Sequence, residues 1–192
     1  LRRVEKEENR QAVLEMIRAV DESSRTAGQL LDHAMVSFRT DDLARETIRL
    51  DELILDTVNR LHPISELRDV EIKTQTLARS KIQGDPILVQ NAIQNVLDNA
   101  VKYTAADTMI TVLLDHSKGF ARIHVRDEGG GFDETEIDRL IQRFERGKNA
   151  DGIVGSGLGL TIVDDIMRAH GGHIKLTNNS GEGACVTLSF PV

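Results

Sequence analysis

The sequence predicts an α/β protein: a two-layer α/β sandwich with a mixed, mostly antiparallel sheet, preceded by a long helix. Three observations carry that expectation. From Ile48 onward, short runs with an apolar period of two alternate with longer runs of helical period. The alternating runs outnumber the helical ones, so strands fill one layer and helices the other. Ahead of them, Val4 to Val36 contains no Pro and a single Gly, Gly28. Its residues Val13, Ile17, Val20, Ser24, Ala27, Leu31 and Ala34 step by four and three, the seam of a helix that pairs with another.

The elements follow in order. A helix of about 30 residues spans about 45 Å at 1.5 Å per residue, too long to lie on a domain of this size without projecting. Residues 1–36 are therefore expected to be part of a helix bundle, and the polar stretch 37–47 a linker. Residues 48–192 form the α/β domain. Ile48 and Leu50 read as a short strand feeding a helix through Leu53, Ile54, Val58 and Leu61, with Asp51 as its cap and Pro63 as its end. Val70 to Thr76 and Lys81 to Gly84 read as strands. Asp85-Pro86 is a helix start, and the apolar positions Ala92, Ile93, Val96, Leu97, Ala100 and Val101 continue it. Met109 to Leu114 and Phe120 to Val125 flank HSKG as a hairpin. Glu134 to Ile141 predicts a short helix, and Leu158 to Ala169 a longer one stopped by His170, Gly171 and Gly172. Gly172 to Leu176 and Cys185 to Phe190 supply the last two strands.

Composition narrows the function. The formal net charge of -7 argues against a general nucleic-acid surface, while leaving room for a phosphate ligand in a locally positive pocket. No run approaches the roughly 18 consecutive apolar residues needed to cross a bilayer, so no direct membrane contact is expected of these residues. The lone Cys185 lies in an alternating apolar run and is expected to pack in a core; it can form neither a disulfide framework nor a zinc cluster.

Four stretches carry chemistry. On the helix at 91–104, NAIQNVLDNAVKYT places Asn91, Asn95 and Asn99 four apart on one stripe, followed by Lys102. DEGGG at 127–131 follows a strand, holding Asp127 in a loop that Gly129 and Gly131 let turn sharply. Glycines stand where a calcium loop would need oxygen ligands. RFERG at 143–147 is basic and aromatic. GSGLGL at 155–160 opens onto a helix, where backbone N–H groups can hold an anion. It lacks the βαβ setting of a dinucleotide fingerprint, and no GKS or GKT makes a P-loop.

Taken in this order, with the Gly181-Glu182-Gly183 turn at the end, these stretches resemble the ATP-binding domain of sensor histidine kinases of two-component systems. That family shares its nucleotide fold with gyrase, Hsp90 and MutL. The resemblance covers residues 48–192, and residues 1–36 resemble the end of the dimerisation bundle of the same kinases. It implies ATP and Mg2+ as ligands. Asn99 is similar to the family's magnesium-coordinating asparagine, with Asn95 as its companion; amide oxygens are hard ligands that add no negative charge beside the phosphates. Lys102, Arg143 and Arg146 would stabilise phosphates, and Tyr103 would line the pocket. Asp127 resembles the carboxylate that accepts the adenine amino hydrogen, with Gly129 and Gly131 giving close approach to the base and Thr187 supporting the contact. Phe144 resembles the aromatic that packs the lid. Gly155, Gly157, Leu158 and Gly159 would wrap the phosphates and fasten the helix that follows.

Two departures shape the expected activity. The family carries its phosphate acceptor as a histidine followed by an acid, and none of the six histidines here (His33, His62, His116, His124, His170 and His173) has that setting. The resemblance thus implies an acceptor on an upstream helix outside these residues, and a fragment that binds Mg-ATP but cannot phosphorylate itself. Related ATPases place a water-activating glutamate where Asn95 stands, and an amide cannot take that proton. The expected whole is a homodimeric kinase, the cytoplasmic portion of a membrane-anchored sensor, passing phosphate on to a response regulator. The alternatives are a nucleotide-binding regulatory module that acts by conformation, and a gyrase-like or Hsp90-like ATPase.

Overall fold

The computed structural model describes residues 45–140, 157–179 and 183–192. The bundle helix and most of the linker expected over 1–44, and the lid with Arg143, Phe144, Arg146 and Gly155, lie outside the described residues.

Strand β1 (Glu46–Arg49) leads into helix α1 (Leu50–Glu66), followed by β2 (Val70–Leu77) and β3 (Lys81–Gly84). Helix α2 (Pro86–Tyr103) comes next, then the hairpin β4 (Thr108–Ser117) and β5 (Phe120–Arg126). A short helix α3 (Ile137–Leu140), helix α4 (Gly159–Ala169), and strands β6 (His173–Asn178) and β7 (Ala184–Pro191) complete the described chain. The five-stranded sheet has the order β2-β4-β5-β7-β6. Only the β2–β4 pair in it is parallel, as the mixed, mostly antiparallel expectation requires. β1 and β3 form a separate antiparallel ribbon.

One face of the sheet carries the core. Strand alternation sends Ile110, Val112 and Leu114 from β4, Ala121, Ile123 and Val125 from β5, and Val186, Leu188 and Phe190 from β7 against the helices. The apolar stripes of α1 (Leu50, Ile54, Val58, Leu61), α2 and α4 (Ile162, Val163, Ile166, Met167) cover them. The result is one helical layer on one sheet face, with the other sheet face left open among the described residues.

Three local details differ from the sequence expectation. Pro63 does not end α1, which runs on to Glu66. A mid-helix proline costs roughly 3 kcal/mol, through a lost hydrogen bond and a clash with the carbonyl four residues back. Here only one turn remains, and it is held by Ser65 Oγ donating to His62 O at 3.0 Å and by Leu67 N–H donating to Pro63 O at 3.3 Å. Asp51 does not cap α1: Arg49 occupies the N-cap, and Asp51 sits in the first turn accepting from Arg49 Nη2 at 2.8 Å. The first helical N–H, that of Leu50, donates instead to Ser80 O at 3.0 Å. Glu46 and Thr47, read as linker, are the first residues of β1 and pair with Gly84 and Gln83.

Candidate functional site

The site is organised by α2, and α2 is fixed at its start. Asp85 caps it, its Oδ1 accepting from Ile87 N–H at 2.9 Å and Leu88 N–H at 3.2 Å, with Pro86 in the first turn. The Asp85 N–H donates to His170 Nε2 at 3.0 Å. On its other side, His170 Nδ1 lies 2.8 Å from Ile166 O. A carbonyl can only accept and an amide N–H can only donate, so the ring is neutral with its proton on Nδ1. Burial, the larger influence, pushes the His170 pKa below the usual histidine value. The end of α4 is thereby tied to the start of α2, and the two helices run antiparallel.

That tie places the beginning of α4 beside the asparagine stripe. Gly159, the first residue of α4, approaches α2 so closely that a Cβ there would stand 3.3 Å from Asn95 Oδ1 and 3.3 Å from Asn99 Nδ2. Asn95 donates its amide hydrogen to Asn91 O at 2.9 Å, which turns its Oδ1 toward Gly159. Leu158, buried at 2% exposure, anchors the turn, and its carbonyl accepts from Ile162 N–H at 2.9 Å. Gly157, at φ 72°, precedes it. Asn95, Asn99, Gly157, Leu158 and Gly159 thus form one cluster at the N-terminus of α4, where helix polarity favours an anion.

The other end of α2 meets the aspartate loop. A Cβ on Gly129 would lie 2.9 Å from Tyr103 O and 3.0 Å from Asp127 Oδ1. Lys102, in the last turn, stands with its Nζ 5.0 Å from the Tyr103 ring centroid. Between Asn95 and Tyr103 the stripe advances about 12 Å at 1.5 Å per residue. One helix edge therefore joins the glycine turn of α4 to the Asp127 loop.

Asp127 is 8% exposed, and its Oδ1 accepts from Gly129 N–H at 2.9 Å and Ala184 N–H at 3.1 Å. Desolvation dominates and raises its pKa, against those two bonds. Both fall on one oxygen and leave Oδ2 to accept from a ligand. Beside it, the Thr104 hydroxyl is buried with no hydrogen-bond partner among the described residues.

Two asparagines escaped the sequence reading. Asn179 Nδ2 donates to Asp127 O at 2.9 Å and to Ala184 O at 3.2 Å. Asn178 brackets Phe132, accepting from its N–H at 2.7 Å and donating to its carbonyl at 2.9 Å. Together they stitch the loop 127–132 to the end of β6. Gly131, at φ 69°, packs against the Asn178 side chain, and Gly183, at φ 103°, leaves no space for a Cβ beside Asp127 O. An Asn-Asn pair before a glycine turn is ordinary turn chemistry, so nothing in the sequence singled it out.

Thr187 is not brought to this cluster. In β7, Val186 and Leu188 point into the core, so Thr187 between them faces the opposite side of the sheet, with its Oγ1 3.0 Å from His124 Nδ1. The β7 residue that touches Asp127 is Ala184, through its backbone. His124 and His173 also lie on the open face, and His62 sits exposed on α1.

Comparison with known proteins agrees with this geometry. The family described as histidine kinase-, DNA gyrase B- and HSP90-like ATPase matches residues 84–192. The sensor-like histidine kinase SenX3 of Mycobacterium bovis is 27% identical over 146 residues, covering 75% of this chain and 36% of its own length. The sensor histidine kinase YvrG of Bacillus subtilis is 28% identical over 185 residues, 93% of this chain and 32% of its own. The chain thus spans about a third of the length of these relatives. Among solved structures, the mycobacterial sensor histidine kinase MprB superposes with a TM-score of 0.69 at 27% identity, over 77% of this chain and 97% of that one. With the asparagine helix, the aspartate loop and the glycine turn in one arrangement and the family match running through all three, the chain belongs to the histidine kinase-, DNA gyrase B- and HSP90-like ATPase family, in the form of a histidine-kinase ATP-binding domain.

Proposed function

We propose that the chain binds Mg-ATP along α2 and, in the intact protein, delivers the γ-phosphoryl to a histidine on a separate helix, for relay to a response-regulator aspartate. The observation that carries this reading is the single helix edge that meets an anion-binding turn at Asn95 and Asn99 and a buried carboxylate at Tyr103. Asp127 Oδ2 would accept the adenine amino hydrogen, a reading supported by Oδ1 being the oxygen that Gly129 and Ala184 engage. Guanine would present a carbonyl there, setting two acceptors face to face. The backbone N–H groups at Gly157 to Gly159 suit the phosphates.

The donor set fits a magnesium ion: two neutral amide oxygens beside a helix N-terminus that favours the phosphates it would accompany. Asn95 and Asn99 would hold the ion, which would supply charge neutralisation to the phosphates. Lys102 adds a point charge at the end of the same stripe. No carboxylate stands at position 95 to activate water, so hydrolysis is disfavoured and the phosphoryl group waits for imidazole. In the transfer, the bond from the γ-phosphorus to the β,γ-bridging oxygen breaks, a nitrogen–phosphorus bond forms, and ADP leaves. The same reading makes the intact protein a homodimer. Its membrane anchoring belongs to the proposal too; no helix among the described residues is long and apolar enough to cross a membrane.

The test joins an upstream helix bearing an acceptor histidine to the chain and follows labelled γ-phosphate. Acid-labile, base-stable label on that histidine, absent from the 192-residue chain alone, is the expected result. A folded, ATP-binding fusion that takes up no label would favour the regulatory module, and sustained ATP turnover by the short chain would favour the ATPase.

A further inference from the structure

The open face of the sheet is not neutral. Register aligns three strands there: Arg122, Ser189 and His173 form one row, His124, Thr187 and Lys175 the next, and Arg126, Cys185 and Thr177 the last. The middle strand contributes only short side chains, and the flanking strands, Thr177 apart, long cationic or imidazole ones. The outcome is a trough of about 320 Å³ with a floor of hydroxyls and a thiol between basic walls.

None of the residues lining it is acidic, although the chain as a whole carries a net charge of -7. The nearest acid, Asp115 on β4, is taken up at the rim by Arg122, whose Nε and Nη2 donate at 2.7 and 2.9 Å. Asp115 Oδ2 also lies 3.3 Å from His124 Nε2. Arg126 and Lys175 are exposed on opposite walls. A positive trough on an acidic protein concentrates anionic partners locally.

We propose that this trough docks an acidic segment of a partner protein in extended conformation, with carboxylates at alternate positions. Outward residues on one strand recur about every 6.8 Å, two rises of 3.4 Å, and alternate residues of an extended peptide share that period. Successive acidic side chains on such a peptide therefore meet Arg126 on one row and Lys175 on the next, while Arg122 stays paired with Asp115 at the rim. Thr187, half-buried on the floor between Cys185 and Ser189, offers its hydroxyl to the peptide backbone. Single-stranded nucleic acid fits less well, because no Phe, Tyr or Trp lines the trough as a stacking platform for bases. A membrane surface fits less well again, because no apolar side chain lines the trough for insertion into lipid. The trough faces away from α2 and α4, so docking there leaves the nucleotide cluster unobstructed; the proposal does not depend on how that cluster is read.

The test is fluorescence anisotropy with the 192-residue chain and a labelled octapeptide alternating Glu and Ser. A peptide with Gln for Glu, a ten-residue oligothymidylate and phosphatidylserine vesicles serve as comparators. The Glu peptide should bind at least about tenfold more tightly than the Gln peptide and lose affinity steeply between about 50 and 300 mM salt, values set by the Debye lengths of roughly 14 and 6 Å. Arg126→Glu and Lys175→Glu should each weaken it about tenfold or more, with an unchanged urea midpoint. If either charge reversal unfolds the chain, Arg126→Gln and Lys175→Gln replace it. Equal binding of the Glu and Gln peptides, undiminished binding to the folded variants, or tighter binding of the oligonucleotide or the vesicles would overturn the proposal.

Discussion

Replacing His170 by Ala removes the clasp between the start of α2 and the end of α4, and the loss can be assembled from its contacts. The Asp85 N–H forfeits its imidazole acceptor in a buried setting, which costs about 1 to 3 kcal/mol. The edge-on contact with Phe190, at 6.1 Å between centroids, adds about 0.5 to 1.5 kcal/mol. Near pH 8 the variant should therefore lose about 3 kcal/mol against urea. The wild type should also show a pH signature. Its His170 is neutral, with a pKa held below the unfolded value of about 6.5, chiefly by burial. Below that value the unfolded chain binds the proton more readily, so the stabilisation is complete above about pH 6.5 and declines as the pH falls through the window down to the folded pKa. An imidazolium would point an N–H at the Asp85 N–H. The difference between wild type and His170→Ala should thus shrink between pH 8 and pH 5, measured by urea denaturation at each pH. A loss under about 1 kcal/mol at pH 8, or a difference that stays constant with pH, would show that the ring merely fills space.

Three further outcomes are expected. Asp127→Asn should weaken ATP binding by about 1 to 3 kcal/mol in titration calorimetry, because the buried acceptor becomes a mismatched amide; unchanged affinity would remove it from adenine recognition. Asn99→Ala should lower affinity for ATP much more with magnesium present than with a chelator, and equal losses would mean general damage to α2. Asn179→Ala should lower ATP affinity and narrow the preference for ATP over GTP, since the substitution frees the backbone on both sides of the Asp127 carboxylate; a lower urea midpoint with intact base preference would reduce Asn179 to a structural role.

What could be read from the sequence was what is local or periodic. The stripe of α2 repeats every four residues, and its capping Asp85-Pro86 pair sits where chain geometry demands it, so the helix and its polar edge were both legible. Thr187 is legible as a strand residue, but the adenine contact expected of it needs the other side of the sheet. The buried neighbours Val186 and Leu188 settle its direction, and period-two alternation already contained that information. The pairing of β1 with β3 and the bond from Asn179 to Asp127 were not legible, because the partners lie in distant segments of the chain and leave no local trace. Asp51 has a capping chemistry, yet the chain reaches the helix from a strand whose Arg49 takes the cap position, and Ser80 supplies the carbonyl that a cap would otherwise replace.

The ribbon of β1 and β3 also has a mechanical character. Because the strands are antiparallel, the first residue of one, Glu46, is bonded to the last residue of the other, Gly84. Tension between the preceding chain and α2 therefore pulls both strands from the same end, as a zipper is drawn, and the pairs must separate in succession. Peeling loads a single rung at a time, so it yields at low force and by increments, where a sheared pair would resist until all its rungs failed together. The first rung to open is the one at Gly84, against which the His170 ring rests. A pull at Glu46 thus reaches the clasp of the asparagine helix before it disturbs the sheet.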